Sequence, residues 1–219
     1  MLSLKHNFVF IHIPKTGGNS FQSVVEPFTE DSRFKTGTYQ DLRNRFAVSG
    51  PITTRKHCTS AEYIERLGME RFMNLKRVSF VRHPLSRAMS LYFSPSRWLR
   101  RSAGRDLTPA RFDKREFARL LNKMQTATSY LQYNAELLDF DFLGRYESFD
   151  EDFRKMLCVC GLPPLQGEVP HRNRGNEDKM SYCDQETIDM VKERFIEDFI
   201  NFGYHSTGLM PFSGCAPRG

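Results

Sequence analysis

The stretch NFVFIHIPKTGGNSFQSVVEPF, residues 7–28, constrains the fold of this chain more than any other part of the sequence. Its first part, FVFIHI at 8–13, is an apolar run rich in branched and aromatic residues, which is typical of a strand buried on both sides. The run ends at Pro-Lys-Thr-Gly-Gly, and a helical pattern begins near Asn19. A buried strand that leads through a glycine loop into a helix is typical of α/β proteins, so we predict that class.

Three further stretches repeat this order of strand and helix. The predicted pairs are 52–58 with 59–68, 77–82 with 84–93, and 141–147 with 149–162. Two more helical segments are predicted within 113–139, and one long amphipathic helix at about 184–203. The 219 residues suffice for one well-packed domain. We therefore predict a single P-loop-like domain over 1–219, with a central parallel sheet of about four to five strands flanked by helices.

The composition favours an anionic ligand and a reducing compartment. The formal net charge is +6 and the isoelectric point is near 9.1. No apolar run reaches the roughly 20 residues of a membrane span, and the N-terminal stretch lacks a signal-peptide cleavage pattern. The five cysteines form an odd, scattered set without a zinc spacing. We expect a cytoplasmic protein with reduced thiols, no transmembrane segment and no metal site.

A candidate phosphate-binding loop joins the first predicted strand to its helix. It consists of Lys15, Thr16, Gly17, Gly18, Asn19 and Ser20. Paired glycines let backbone N–H groups approach phosphate oxygens, while the helix start and Lys15 add positive charge. The phosphate loop of nucleoside triphosphatases instead places its lysine after the glycines, and no convincing acidic strand end serves here as a magnesium partner. The loop therefore predicts phosphate binding of another kind.

A second strand-to-helix junction, KRVSFVRHPLSRAMSLYF at 76–93, carries different anion-binding groups. Arg82 lies at the predicted end of the strand, and Pro84 favours a helix start. Arg87 and Ser90 lie three residues apart, so we expect them to share a helix face that looks toward Arg82. An arginine fork with a hydroxyl is suited to a terminal phosphate monoester.

The loop PKTGGNS, followed by the pattern V-R-x-P-x-x-R-x-x-S-x-Y, resembles the sulfotransferases that use 3′-phosphoadenosine 5′-phosphosulfate (PAPS). The resemblance is strongest to the carbohydrate sulfotransferases that modify glycosaminoglycans, here in a soluble, bacterial-type form. Family-like segments follow in the expected order at 56–63, 144–153 and 198–204. The chain departs from the family at Asn19, where threonine or serine is commoner, and at His83, where asparagine is commoner.

The resemblance implies that residues 15–20 bind the 5′-phosphosulfate of PAPS and that Arg82 and Ser90 bind its 3′-phosphate. It also implies in-line transfer of the sulfuryl group to an acceptor hydroxyl, with 3′-phosphoadenosine 5′-phosphate (PAP) as product and no metal. A sulfuryl group carries less negative charge than a phosphoryl group. Because less charge has to be neutralised, a lysine can take the place of a metal ion. Lys15 is a suitable cation for the charge that develops on the leaving phosphate.

A general base must take the proton of the acceptor, and histidine suits this step because its ordinary pKa is near neutral pH. His57 is the first candidate, since it ends a predicted strand just before a capped helix and falls in a family-like segment. His171 is the alternative, while His12 is expected to be buried and structural. The loop around His171 also resembles a late family segment, which implies that Arg172 or Arg174 reaches a phosphate.

The acceptor side is represented by the basic loop 94–112, in which five arginines surround Trp98. An aromatic face beside arginines favours an acidic glycan or glycolipid as acceptor, although such a loop is also compatible with a merely solvated surface. Two carboxylates of a family-like segment, Glu147 and Asp152, are explained equally by catalysis, by helix capping and by pairing with arginine.

Three other interpretations stay open at this point. A nucleotide kinase or triphosphatase would share the α/β fold but would require Mg·ATP, and a catalytically silent relative would bind PAPS without transferring its sulfuryl group. A nucleic-acid-binding module would use the net charge and would bind with a steep salt dependence. That module leaves both phosphate motifs unexplained, so nucleic acid is not expected as a partner.

Overall fold

The computed structural model describes residues 1–35, 46–94, 112–171 and 177–205. These residues form two compact units. The first unit is drawn from 1–81 and 127–174, and the second from 82–126 and 175–219. The first unit contains the central sheet and the glycine loop, and the second unit is helical where it is described.

The elements of the described residues have the following bounds. The strands are β1 (Leu2–Ser3), β2 (Phe8–Ile11), β3 (Ser32–Lys35), β4 (Phe46–Ser49), β5 (Lys76–Val81), β6 (Gln132–Tyr133), β7 (Glu136–Leu137) and β8 (Phe142–Arg145). The helices are α1 (Gly18–Val25), α2 (Ser60–Leu67), α3 (Met69–Met73), α4 (Pro84–Tyr92), α5 (Lys114–Lys123), α6 (Thr128–Leu131), α7 (Phe149–Val159), α8 (Gln185–Arg194) and α9 (Ile196–Asn201). Short 3₁₀ turns occur at Glu26–Phe28, Tyr146–Ser148 and Glu177–Tyr182.

The central sheet has the strand order β1-β2-β5-β8. Strands β2, β5 and β8 run parallel, and β1 pairs antiparallel with β2 at one edge. In this register Phe10 lies opposite Val78, and Phe80 lies opposite Gly144. The sheet confirms the predicted α/β class with a central, mostly parallel sheet flanked by helices.

One face of the central sheet packs against α1 and α7. Phe10 and Phe80 point to this face, because side chains alternate along a strand. The ring of Phe10 lies 4.7 Å from that of Phe21 in α1, and Phe80 lies 5.0 Å from Phe149 in α7. The rings of Phe21 and Phe153 complete the cluster at 5.3 Å. This packing holds the end of β2 and the start of α1 on either side of the glycine loop.

Two predicted elements differ from the structure. Residues 52–58 are bends and turns rather than a strand, because Thr53 donates a hydrogen bond to Asp31 at 2.6 Å and its hydroxyl lies 3.0 Å from that of Tyr63. The predicted C-terminal helix is divided into α8 and α9 at Phe195, whose φ of −122° and ψ of 29° are not helical. The hairpin of β3 and β4 was not predicted at all.

A buried ion pair organises the second unit. Arg87 of α4 is 1% exposed, and its guanidinium lies 3.5 Å from the carboxylate of Asp198 in α9. The same guanidinium donates to the carbonyl oxygen of Gln125 at 2.8 Å. Arg87 therefore ties helices together inside the unit. The sequence predicts that Arg87 and Ser90 share a face that looks toward Arg82, whereas the guanidinium of Arg87 is buried against Asp198 and Gln125.

Candidate active site

The glycine loop connects the carboxyl end of β2 to α1, as predicted. Lys15 has a φ of 72° and Gly17 a φ of 87°, so the chain passes twice through the left-handed region. This conformation is uncommon for lysine and is typical of functional loops. Thr16 is fully buried, and its hydroxyl donates to the carbonyl oxygen of Ile13 at 2.9 Å. Thr16 thus holds the loop, and the N–H groups at the start of α1 provide positive partial charge for an anion.

Both glycines of the loop are required by close contacts. A Cβ at Gly17 would lie 2.5 Å from Cε2 of Phe149, and a Cβ at Gly18 would lie 2.2 Å from Cδ2 of His12. Neither position can hold a larger side chain without displacing a ring. Asn19 is half-buried and Ser20 is buried. The loop therefore fits closely over the core of the first unit.

His57 is attached to the same part of the first unit. Its Nδ1 lies 2.8 Å from the carbonyl oxygen of His12, and the two imidazole rings are 4.4 Å apart. A carbonyl oxygen only accepts hydrogen bonds, so Nδ1 carries the proton and Nε2 is the basic nitrogen of the neutral ring. The predicted capping box of α2 follows, in which Glu62 N–H donates to Thr59 at 3.3 Å and Thr59 N–H donates to Glu62 at 2.7 Å. The helix start fixes the chain that carries His57.

His12 itself is buried, as the sequence predicts. It is 3% exposed, and burial lowers its pKa well below the ordinary value of 6.5, with further lowering by the charges of His57 and Lys56. His12 is therefore neutral at physiological pH, and it supports His57 through its backbone carbonyl.

Lys56 was missed by the sequence analysis. Its ammonium nitrogen lies 3.8 Å from the centroid of the Phe46 ring. Burial lowers its pKa to about 8, and the nearby charges of Lys15 and Arg33 lower the pKa in the same direction. The only signal in the sequence is that Lys56 directly precedes the candidate base, and that order does not reveal its burial or its neighbours.

The second phosphate motif lies in the second unit. Arg82 follows the last residue of β5, and its Nε donates to the hydroxyl of Ser86 at 2.8 Å. Ser86 and Ser90 are four residues apart on α4 and are both half-buried, so they share a helix face. The charge of Arg82 also acts on Lys179, whose pKa is lowered first by burial and then by that charge. Ser86 and Lys179 were not predicted, although the four-residue spacing from Arg82 to Ser86 was visible.

His171, the alternative base, is paired with a carboxylate. Its Nε2 lies 2.7 Å from Oδ1 of Asp150, and its ring lies 5.6 Å from that of Phe149. Arg172 and Arg174, which the resemblance assigns to a phosphate, lie outside the described residues, as does 95–111 of the basic loop.

Asp152, one of the two carboxylates in the family-like segment 144–153, lies in the first part of α7. Asp152 is 8% exposed, and its Oδ2 accepts hydrogen bonds from the backbone N–H of Arg145 at 2.7 Å and from the Ser148 hydroxyl at 2.8 Å. These contacts tie the end of β8 and the start of α7 together, and the described residues show no side-chain cap hydrogen bond at the start of this helix.

The structure thus defines an α/β protein with a glycine-rich loop at the carboxyl edge of its sheet, where the chain enters a helix. The chain belongs to the sulfotransferase family, whose model matches residues 1–205. Neither the curated proteins nor the solved structures gave a significant match. Within the described residues, there is no helix long and apolar enough to cross a membrane and no group of three or more metal-binding side chains. The family match confirms the resemblance of the sequence to sulfotransferases.

Proposed function

We propose that the protein transfers the sulfuryl group of PAPS to a hydroxyl group of a carbohydrate or glycoconjugate. The hydrogen bond between His57 and His12 carries this proposal, because it ties a candidate base to the segment that leads three residues later to Lys15. The candidate base for the acceptor and the candidate cation for the leaving group are thereby both attached to the segment at the end of β2. Sulfuryl transfer requires both groups.

The proposed reaction is an in-line displacement at sulfur. The acceptor oxygen forms a bond to sulfur while the bond between sulfur and the 5′-phosphate oxygen breaks on the opposite side. His57 takes the acceptor proton at Nε2 and later releases it to water. Lys15 neutralises the negative charge that develops on the departing phosphate of PAP, and the N–H groups at the start of α1 bind its oxygens.

The 3′-phosphate of the donor is assigned to Arg82, Ser86 and Ser90. The bond from Arg82 Nε to Ser86 orients a planar guanidinium, whose fork of N–H donors matches phosphate geometry. Arg172 and Arg174 are proposed as further phosphate contacts on the family resemblance alone.

We propose that this chemistry needs no metal, because lysine, arginine and backbone donors can neutralise the modest charge of the sulfuryl-transfer transition state. Calorimetric titration with PAP and with ATP, each with and without Mg²⁺, tests the choice of donor. We expect Mg²⁺-independent binding of PAP, weakened at least about tenfold in Lys15→Ala and in Arg82→Ala. Binding of Mg·ATP in preference to PAP would contradict the proposal and favour a kinase.

The acceptor is proposed to be an acidic glycan or glycolipid, on the basis of the arginines of 94–112. Incubation with radiolabelled PAPS and matched acidic and neutral glycans, lipids and small alcohols tests this assignment. Preferential labelling of acidic glycans supports it, whereas labelling of neutral or small alcohols alone contradicts it.

The proposed location is the cytoplasm. Cys58, Cys158, Cys160 and Cys183 are free thiols among the described residues, which is the usual state of cysteines in a reducing compartment.

A further inference from the structure

Among the described residues, Lys56 has an aromatic neighbour but no counter-ion. Its ammonium lies against the Phe46 ring, and the guanidinium of Arg33 lies 4.7 Å from the centroid of that same ring. No carboxylate of the described residues forms an ion pair or a hydrogen bond with Lys56. Lys56 is half-buried, and desolvating an ammonium without a nearby anion is unfavourable, so a bound anion would remove that cost.

The charged groups that act on Lys56 come from two segments. Lys15 belongs to the glycine loop and Arg33 to β3, and both charges oppose the protonated form of Lys56. Arg33 is itself paired with Glu26, whose Oε2 lies 2.5 Å from Nε of Arg33. His12, at the end of β2, is neutral because burial and neighbouring charges lower its pKa. Two lysines therefore repel each other beside a loop whose backbone is arranged for an anion.

We propose that Lys56 is a second cation for the phosphosulfate end of the donor and that it takes up a proton when that anion binds. This inference rests on the proposed function and deepens it. The anion lies between Lys15 and Lys56, which cancels their repulsion and restores the ordinary protonated state of Lys56. Lys56 and His57 are consecutive residues, so the second cation and the base are positioned by the same bond to His12.

Calorimetric titration of the full chain with PAPS, in two buffers of different ionisation enthalpy, measures affinity and proton uptake together. With a pKa of about 8, about three quarters of Lys56 is uncharged in the free protein at about pH 8.5. We expect wild-type protein to take up roughly 0.7 proton for each PAPS bound at that pH.

Two substitutions of Lys56 separate its charge from its titration. Lys56→Arg keeps a positive charge that does not titrate near pH 8.5, so PAPS affinity should stay within about threefold of wild type while proton uptake falls to near zero. Lys56→Met should weaken PAPS binding by about tenfold or more and also abolish the uptake. Lys155→Met, which removes a lysine from an exposed pair with Glu151, controls for the change in net charge and should behave as wild type.

Folding is monitored by urea unfolding. We expect Lys56→Met to be at least as stable as the ligand-free wild type, because the substitution removes a desolvated charge. Wild-type affinity with undiminished proton uptake in Lys56→Met would overturn the inference and leave the proposed function intact. Undiminished uptake in Lys56→Arg would overturn it even if the methionine variant failed to fold. A wild-type protein that binds neither PAPS nor PAP would overturn the proposed function, and the inference with it.

Discussion

The Nδ1 atom of His57 lies 2.8 Å from the carbonyl oxygen of His12, a contact between residues 45 positions apart in the sequence. It joins the loop before α2 to the end of β2. Because the carbonyl accepts the hydrogen bond, the contact sets the tautomer of His57 and leaves Nε2 as the basic nitrogen. Burial keeps His12 neutral, so His12 orients His57 without placing a second positive charge beside it.

Substitution of His57 should separate catalysis from donor binding. In His57→Asn the side-chain amide can still donate to His12 but cannot accept the proton, so turnover should fall by a factor of about 10²–10⁴. The Kd for PAP should stay within about twofold of wild type, because His57 is not assigned to the donor. Transfer from radiolabelled PAPS and calorimetry provide the two measurements. His171→Asn is the control, and a loss of turnover in that variant with retention in His57→Asn would reverse the assignment of the base.

Gly18→Ala should disturb the base through His12. Alanine is favoured over glycine inside a helix by about 1 kcal/mol, but here its Cβ would lie 2.2 Å from the His12 ring. We expect the clash to displace His12 and to lower both turnover and thermal stability. Gly68→Ala is the control, since a Cβ there meets nothing within 4 Å although the φ of 81° is unfavourable. Equal turnover in the two variants would show that the contact with His12 does not position the site.

Ser86→Ala should weaken recognition of the 3′-phosphate. The hydroxyl of Ser86 accepts the hydrogen bond from Nε of Arg82, and its loss frees the guanidinium to adopt other orientations. We expect the Kd for PAP to rise about three- to tenfold, while binding of adenosine 5′-phosphate, which lacks the 3′-phosphate, stays unchanged. Arg66→Ala, at an exposed position of α2, is the matched surface control. An equal loss of affinity for both nucleotides would mean that Ser86 does not act on the 3′-phosphate.

Arg87 should prove to be a structural residue. In Arg87→Met the buried carboxylate of Asp198 loses its ion pair with Arg87, so the free energy of unfolding should fall by about 3–5 kcal/mol in a urea titration. Arg115→Met, at an exposed position of α5, should change the stability by less than about 0.5 kcal/mol. A stable Arg87→Met variant that has lost affinity for PAP would instead identify Arg87 as a phosphate ligand.

Much of the fold could be predicted because local patterns and tertiary packing agree. The run FVFIHI forms a strand over Phe8–Ile11, and Pro84 starts α4, as its fixed backbone angle favours. Residues 52–58 were misassigned because the β-branched residues there favour a strand, whereas the hydroxyl of Thr53 is engaged by Asp31 and Tyr63. Such contacts between distant residues leave no periodic pattern in the sequence.

The candidate site was predictable only where its chemistry is local. Lys15 and the paired glycines form a contiguous motif between a strand and a helix, and the family resemblance identified His57 and Arg82. Lys56 could not be recognised, because its contact with the ring of Phe46 depends on a hairpin that was itself not predicted. The four-residue spacing of Ser86 from Arg82 is visible in the sequence, but spacing alone does not show that the two side chains form a hydrogen bond.

Transfer of radiolabelled sulfate from PAPS to an acidic glycan, measured in the presence of EDTA, tests the central claim most directly. We expect wild-type protein to label the glycan without added metal, and Lys15→Ala and His57→Asn to lose at least about 99% of that activity. Phosphoryl transfer from Mg·ATP by the same protein, with no labelling from PAPS for any acceptor, would contradict the account.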